Sequence, residues 1–206
     1  MSYGTAIYPK IEDFQSLSKL SKEELQDAID AEVRLMTNKF NEFRALAFCT
    51  PCDVFGDKAY DKIHLLVDQY FEDYVESYAT NFDLSNVLDL KEQMEYIPSD
   101  EESRDDKRPY LYFNRFIYHS EWEAKNLVEE NTQELLKIKG KILALCLATP
   151  IDITPRDQEQ YVDGHEEPLC YLERELDALE EGLDDCLRTI YVAKIVAKYW
   201  DGHKEG

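Results

Sequence analysis

Two short boxes of sequence occur twice in this chain at one fixed spacing. The segment ALAFCTPCDV (45–54) aligns with ALCLATPIDI (144–153) at an offset of 99 residues, and SKEE (21–24) aligns with SEWE (120–123) at the same offset. Each copy therefore places an SxxE box at an equal distance before a TPxD box. Because a repeat at a fixed period indicates that one supersecondary unit was built more than once, the sequence predicts a duplicated fold.

The two boxes mark the beginning and the end of a helix. In SxxE the serine hydroxyl accepts a hydrogen bond from the backbone amide three residues on, and the glutamate reaches back to the serine amide. In TPxD the residue before proline disfavours helical geometry, whereas threonine as a cap, proline at the first helical position and aspartate at the third favour a new start. Each copy thus predicts a helix of about 27 residues that ends in a turn.

Apolar residues recur at helical spacing through each predicted helix. In the first copy the stripe is Ile29, Val33, Met36, Phe40, Phe43 and Ala47, and in the second it is Val128, Leu135, Ile142 and Cys146, interrupted by Thr132 and Lys139. At an offset of 105 residues a second pair of stripes aligns. Val67, Phe71, Tyr74, Tyr78 and Phe82 fall over Leu172, Leu176, Leu179, Leu183 and Leu187.

These patterns predict an all-α fold in which two tandem helical hairpins form a four-helix bundle with an approximate internal twofold repeat. We expect a single domain over 1–206, composed of a first hairpin (13–97), a charged connecting loop (98–109) and a second hairpin (110–206). The alternative is two separate hairpins, each docked on a partner.

Two segments near the junction are less regular. The stretch 83–97 fits a short helix of its own. The segment YLYFNRFIYH (110–119) is dense in aromatic and β-branched residues, and it fits either an ordered turn or a short strand paired with TAIYP (5–9). A minor β element is therefore an alternative there.

Charge and composition restrict the class of partner. The formal net charge of −21 argues against direct binding of nucleic acid, because affinity for phosphates comes from lysine and arginine. No apolar run is long enough for a membrane span, and the amino-terminal letters lack a signal pattern. We therefore expect a protein that is not secreted, located in the cytoplasm or in a particle assembled inside the cell. Five cysteines suit a reducing compartment.

Cys49 and Cys52 form a CxxC pair, the spacing of many thiol redox enzymes. A thioredoxin-type motif follows a strand, whereas a helical stripe precedes this one. The second copy keeps the threonine, proline and aspartate of the turn but has Ala148 and Ile151 in place of the cysteines. The sequence favours a structural turn, and a redox protein that uses Cys49 and Cys52 is the alternative.

Signatures of other chemistry are weak. The four histidines are isolated in sequence, and no second CxxC or paired-histidine motif would complete a zinc site. No nucleophile elbow or phosphate-cradling glycine loop is present. We therefore assign no catalytic residue, no cofactor and no metal, and regard an enzyme as the minority hypothesis.

Two surfaces are candidates for partner binding. Acidic residues follow one another at helical spacing along the last helix, and an earlier set on the second helix repeats part of this pattern, at Asp68, Glu72, Asp73 and Glu76. The aromatic segment is the second candidate because aromatic residues dominate interface hot spots. The candidates on the last helix are Glu173, Asp177, Glu180, Glu181, Asp184 and Asp185, and those in the aromatic segment are Tyr110, Tyr112, Phe116 and Tyr118.

The leading hypothesis is a non-enzymatic acidic subunit of a larger protein assembly; a viral or phage assembly protein fits this description. Its partners would be proteins, basic ones among them, and a homo-oligomer is compatible with it. The alternative is an acidic inhibitor that imitates nucleic acid and occupies the basic groove of a DNA- or RNA-binding enzyme. An aromatic-anchored contact would survive high salt, whereas binding through the acidic residues would weaken.

Overall fold

The computed structural model describes residues 17, 19–95, 120–148 and 168–203. Over these residues the chain is all-α, as predicted. The helices are α1 (Lys22–Ala47), α2 (Pro51–Phe55), α3 (Ala59–Glu95), α4 (Glu121–Leu147) and α5 (Pro168–His203), and a single 3₁₀ turn (Gly56–Lys58) joins α2 to α3.

Both SxxE boxes begin a helix. The Ser21 amide donates to the Glu24 carboxylate at 2.7 Å, and the Glu24 amide donates to the Ser21 hydroxyl at 3.1 Å. Ser120 and Glu123 exchange the same two bonds at 2.7 and 3.3 Å. Each box satisfies two backbone amides that would otherwise lack a partner in the first turn, so the predicted starts are confirmed.

The first TPxD box builds a short helix instead of a simple turn. Thr50 has extended backbone angles, and its carbonyl accepts from the amides of Asp53 and Val54, while its side chain makes no capping bond. Gly56 then adopts a φ of 63°, a conformation that glycine adopts at little cost. The chain therefore reverses direction through α2 and the 3₁₀ turn before α3 begins.

Several predicted features lie outside the described residues. They are the second TPxD box (149–152), the connecting loop (98–109), and the aromatic segment with its alternative strand. By contrast, the predicted short helix at 83–97 is described up to residue 95 and is the last part of α3, which runs for 37 residues without a break. The apolar spacing at 83–95 continues that of the preceding part of α3, so it did not require a separate short helix.

The stripes of α3 and α5 are buried as predicted. Val67, Phe71, Tyr74 and Tyr78 are buried and Phe82 is partly buried, and the five matching leucines of α5 are all buried. The stripes of α1 and α4 are less regular. Val33 is 44% exposed, and in α4 the buried residues are Ala124, Ile138, Ile142 and Cys146.

The chain divides into two compact units whose boundaries fall inside the long helices. One unit comprises 1–34, 77–132 and 188–206, and the other comprises 35–76 and 133–187. In the first unit, Leu25 of α1, Leu84 and Val87 of α3, and Val192 of α5 form one buried cluster. Ala124 of α4 packs with Val196 and Ala197 of α5. All four long helices thus contribute to this unit.

The second unit also contains part of every long helix. Phe40 and Phe43 of α1 meet Tyr74 and Tyr70 of α3, with ring centroids 6.3 and 6.0 Å apart, and this order makes the two helices antiparallel. A Cβ placed on Gly182 of α5 would lie 3.3 Å from Ile138 of α4, so the glycine allows close contact. Each unit therefore contains packed segments of all four long helices, as in a helical bundle.

Candidate partner-binding site

The acidic residues of α5 lie beside the leucine stripe, on the part of the helix surface that turns toward water. Glu173, Asp177, Glu181 and Asp185 are exposed, and Glu180 and Asp184 are half-buried. The buried leucines fix which side of the helix faces water, and the carboxylates occupy that side at helical spacing. The structure therefore brings the six predicted acidic residues together on one face, the α5 acidic face.

Arg44 of α1 neutralises part of this face. One guanidinium nitrogen lies 2.7 Å from the Asp177 carboxylate and 2.7 Å from the Glu180 carboxylate. The guanidinium carbon also lies 5.3 Å from the centre of the Phe40 ring, at cation–π distance. Two carboxylates of α5 thus share one cation from the other hairpin.

The α5 acidic face lines an open groove of about 630 Å³ in the second unit. Tyr74 of α3 is only 4% exposed, yet it forms part of the wall. The groove therefore combines one aromatic side chain with several carboxylates. The carboxylates that line it belong to Asp177, Glu180, Glu181, Asp184 and Asp185.

The electrostatics of the groove are visible at Glu180. Burial raises the pKa of this carboxyl above its usual range, and the negative charge of Asp177 adds to the rise, while Arg44 opposes both. Removing a carboxylate from water favours its neutral form. Since the net direction is upward, burial and Asp177 together outweigh the opposing effect of Arg44 on the pKa of Glu180.

The corresponding carboxylates of α3 are balanced differently. Asp68 lies 2.8 Å from the ammonium group of Lys139 of α4, and Asp73 lies 2.9 Å from that of Lys39 of α1. The two lysines also lie 5.2 Å from the ring centres of Phe71 and Tyr70, respectively. Lys139 interrupts the predicted α4 stripe because its stem lies along the apolar surface while its charged end reaches Asp68.

The CxxC cysteines have different surroundings. Cys49 is half-buried just after α1, where its thiol donates to the Leu46 carbonyl at 2.9 Å, and Cys52 is exposed on α2. Burial raises the pKa of the Cys49 thiol, the opposite of what a reactive thiolate requires. The buried Cys146 of α4 has a pKa raised to about 12.

The other predicted partner-binding residues, Tyr110, Tyr112, Phe116 and Tyr118, lie outside the described residues. Trp122, at the start of α4, is 71% exposed. Neither Arg44 nor Tyr74 was predicted from the sequence to lie at the groove. Tyr74 was identified only as a stripe residue, and no local signal connects Arg44 with residues more than 130 positions away.

Two further observations concern the described residues only. Among them, no three histidine, cysteine or acidic side chains are grouped so that they could hold a metal ion. None of the described helices has a stretch both long and apolar enough to span a membrane.

Taken together, these features define an acidic helical bundle with a carboxylate-lined groove. No family model, curated protein or solved structure matches the chain. The proposed function is therefore based on the groove.

Proposed function

We propose that this protein is a non-enzymatic interaction subunit of a larger protein assembly, and that its groove binds a basic segment of a protein partner. The observation that carries the proposal is the groove itself, whose wall contains five carboxylates and a buried tyrosine. A formal net charge of −21 would also attract a basic partner over a distance.

Arg44 supports this proposal because it illustrates how the α5 acidic face holds a guanidinium group. Its two ion pairs at 2.7 Å are charge-assisted, and the Phe40 ring adds a cation–π contact. A lysine or arginine of the partner would be bound in a similar way. Its apolar stem would pack on Tyr74, and its charged end would reach Glu181 or Asp185.

The nucleic-acid-mimic hypothesis uses the same residues, which extend over roughly 18 Å of α5 from Glu173 to Asp185. The pairing of Asp177 and Glu180 with Arg44 weakens it, because a phosphate mimic requires a row of carboxylates available to an enzyme's basic groove. We therefore favour a protein partner that inserts individual basic side chains.

A fluorescein-labelled nonalysine peptide is a suitable probe of the groove, with binding followed by fluorescence anisotropy. The variant Asp177→Asn, Glu180→Gln, Glu181→Gln, Asp185→Asn neutralises four carboxylates of the groove wall and should bind at least about tenfold more weakly than the wild type. The matched control Asp68→Asn, Glu72→Gln, Asp73→Asn, Glu76→Gln removes the same number of charges from α3, and its affinity should stay within about threefold. Raising the salt to about 0.5 M should weaken wild-type binding steeply.

Equal losses in the two variants would show that only net charge matters, and the groove would then not be a specific site. Absence of peptide binding at low salt would reject the basic-segment proposal. The nucleic-acid mimic makes a separate prediction, namely that the wild-type chain inhibits a nonspecific deoxyribonuclease acting on duplex DNA while the α5 variant does not. Such inhibition would replace the assembly proposal with the inhibitor.

A further inference from the structure

Two cysteines that are far apart in the sequence contact the same end of α1. The buried Cys146 thiol of α4 donates to the Phe43 carbonyl at 3.6 Å, and the Cys49 thiol donates to the Leu46 carbonyl at 2.9 Å. Phe43 and Leu46 are three residues apart on α1. Their carbonyls therefore lie on the same side of the helix, separated by about 4.5 Å along its axis.

Both thiols therefore contact carbonyls in the last two turns of α1. The two thiols also interact electrostatically, since the charge of Cys49 contributes to the raised pKa of Cys146, after the larger contribution of burial. Cys52, the CxxC partner in the sequence, is instead exposed on α2. Cys146 is thus the cysteine that tertiary packing brings to the end of α1 that Cys49 follows.

We propose that Cys49 and Cys146 are a redox pair that closes into a disulfide when a small disulfide such as oxidised glutathione is supplied. The bond would join the carboxyl ends of α1 and α4 within the second unit, across the two repeats. This inference is independent of the acidic groove. It also differs from a Cys49–Cys52 redox motif because the pair is assembled by packing.

The exchange takes place in two balanced steps. The Cys49 thiolate attacks one sulfur of oxidised glutathione, which gives a mixed disulfide and releases one glutathione thiolate. The Cys146 thiolate then attacks the Cys49 sulfur and displaces the second glutathione. The two protein thiols lose two electrons and two protons, and one glutathione disulfide becomes two glutathione molecules.

Each step needs a thiolate. Burial of the attacking thiol slows the step, because it limits access and disfavours the thiolate. Cys49 reacts first because it is half-buried, whereas Cys146 is fully buried. Cys146 lies in the last turn of α4, where a helix end can open locally and admit the second step. Since burial raises the pKa of both thiols, closure is slow at neutral pH and accelerates as the pH rises.

Tryptic peptides separate the cysteines well enough for a direct test. Cys49 and Cys52 fall in peptide 45–58, Cys146 in 142–156, Cys170 in 157–174 and Cys186 in 175–188. The folded full-length chain is incubated with oxidised glutathione at about pH 8.5, the remaining thiols are alkylated, and the non-reduced digest is examined by mass spectrometry. We expect peptide 45–58 to be linked to peptide 142–156.

Single variants assign the linked cysteine. Cys52→Ala should retain the link, whereas Cys49→Ala and Cys146→Ala should each lose it, with circular dichroism checking that every variant remains helical. A bridge between Cys49 and Cys52, a link that persists in Cys49→Ala, or glutathione adducts without any link would each overturn the proposal. A link that forms only after the chain is unfolded in urea would overturn it as well.

Discussion

The acidic faces of α3 and α5 occupy matching positions of the repeat, yet their charges are balanced in different ways. On α3, Asp68 and Asp73 each pair with a separate lysine, from α4 and α1. On α5, Asp177 and Glu180 share the single side chain of Arg44. The same pattern of carboxylates thus contributes to packing between helices in one copy and to an acidic groove in the other.

This difference shows that two helices with aligned apolar stripes can present different surfaces. The stripes beneath the two faces remain apolar, with aromatic residues prominent in α3 and leucines throughout α5. The change lies in how the cations are placed: Asp68 and Asp73 contact two separate lysines, whereas Asp177 and Glu180 contact the same arginine.

The largest expected effect comes from removing the apolar base of the α5 acidic face. Leu183→Ala should lower the free energy of unfolding by about 3 kcal/mol, because Leu183 is fully buried and its truncation leaves a cavity. Urea denaturation followed by circular dichroism measures this change. The matched control is Leu136→Ala on α4, a leucine that is 55% exposed, with an expected cost within about 0.5 kcal/mol. Equal losses of unfolding free energy in the two variants would contradict the assignment of Leu183 to the core.

A smaller effect tests the shared cation directly. Arg44→Ala should lower the free energy of unfolding by about 1–2 kcal/mol, because it leaves the half-buried Glu180 without its charge partner. Lys39→Ala, its counterpart on the α3 side, should cost about 0.5–1 kcal/mol, as expected for a partly exposed ion pair. The same urea titrations measure both variants. If Lys39→Ala proved the more costly change, the contrast between the two faces would be wrong.

The smallest effect is a pH dependence at Glu180. Its pKa in the folded chain is raised above the ordinary value of 4.5, so its contribution to stability is greatest below pH 4.5 and is lost as the pH rises through the folded pKa. Glu180→Gln should therefore become more stable relative to the wild type as the pH increases through that window. The gain should reach only a few tenths of a kcal/mol because the side chain is partly exposed.

Glu134 provides the opposite control for that titration. A hydrogen bond and the charge of Lys137 lower its pKa, so its contribution is present above the ordinary value and is lost as the pH falls through the folded pKa. The free energy of unfolding of Glu134→Gln, relative to that of the wild type, should therefore decrease as the pH rises. Thermal unfolding of both variants across the acidic pH range gives, for each, the slope of its stability difference from the wild type against pH. Slopes of the same sign would refute this account of Glu180.

The sequence by itself determined where α1 and α4 begin and which side of α3 and of α5 is buried. The capping boxes at Ser21 and Ser120 and the leucine stripe of α5 could be predicted because they depend on local hydrogen bonds and on the helical period. The same periodicity placed all six carboxylates on one face of α5. Such features depend only on residues a few positions apart along one helix.

Only the tertiary structure decided which residues of different helices meet. It brought Arg44 to Asp177 and Glu180, placed Tyr74 in the wall of the groove, and set the Cys146 thiol of α4 against the Phe43 carbonyl of α1. These pairings depend on how each helix is rotated about its axis and where it lies along its neighbours. That geometry arises from the packing of all the stripes together, which no single stretch of sequence records.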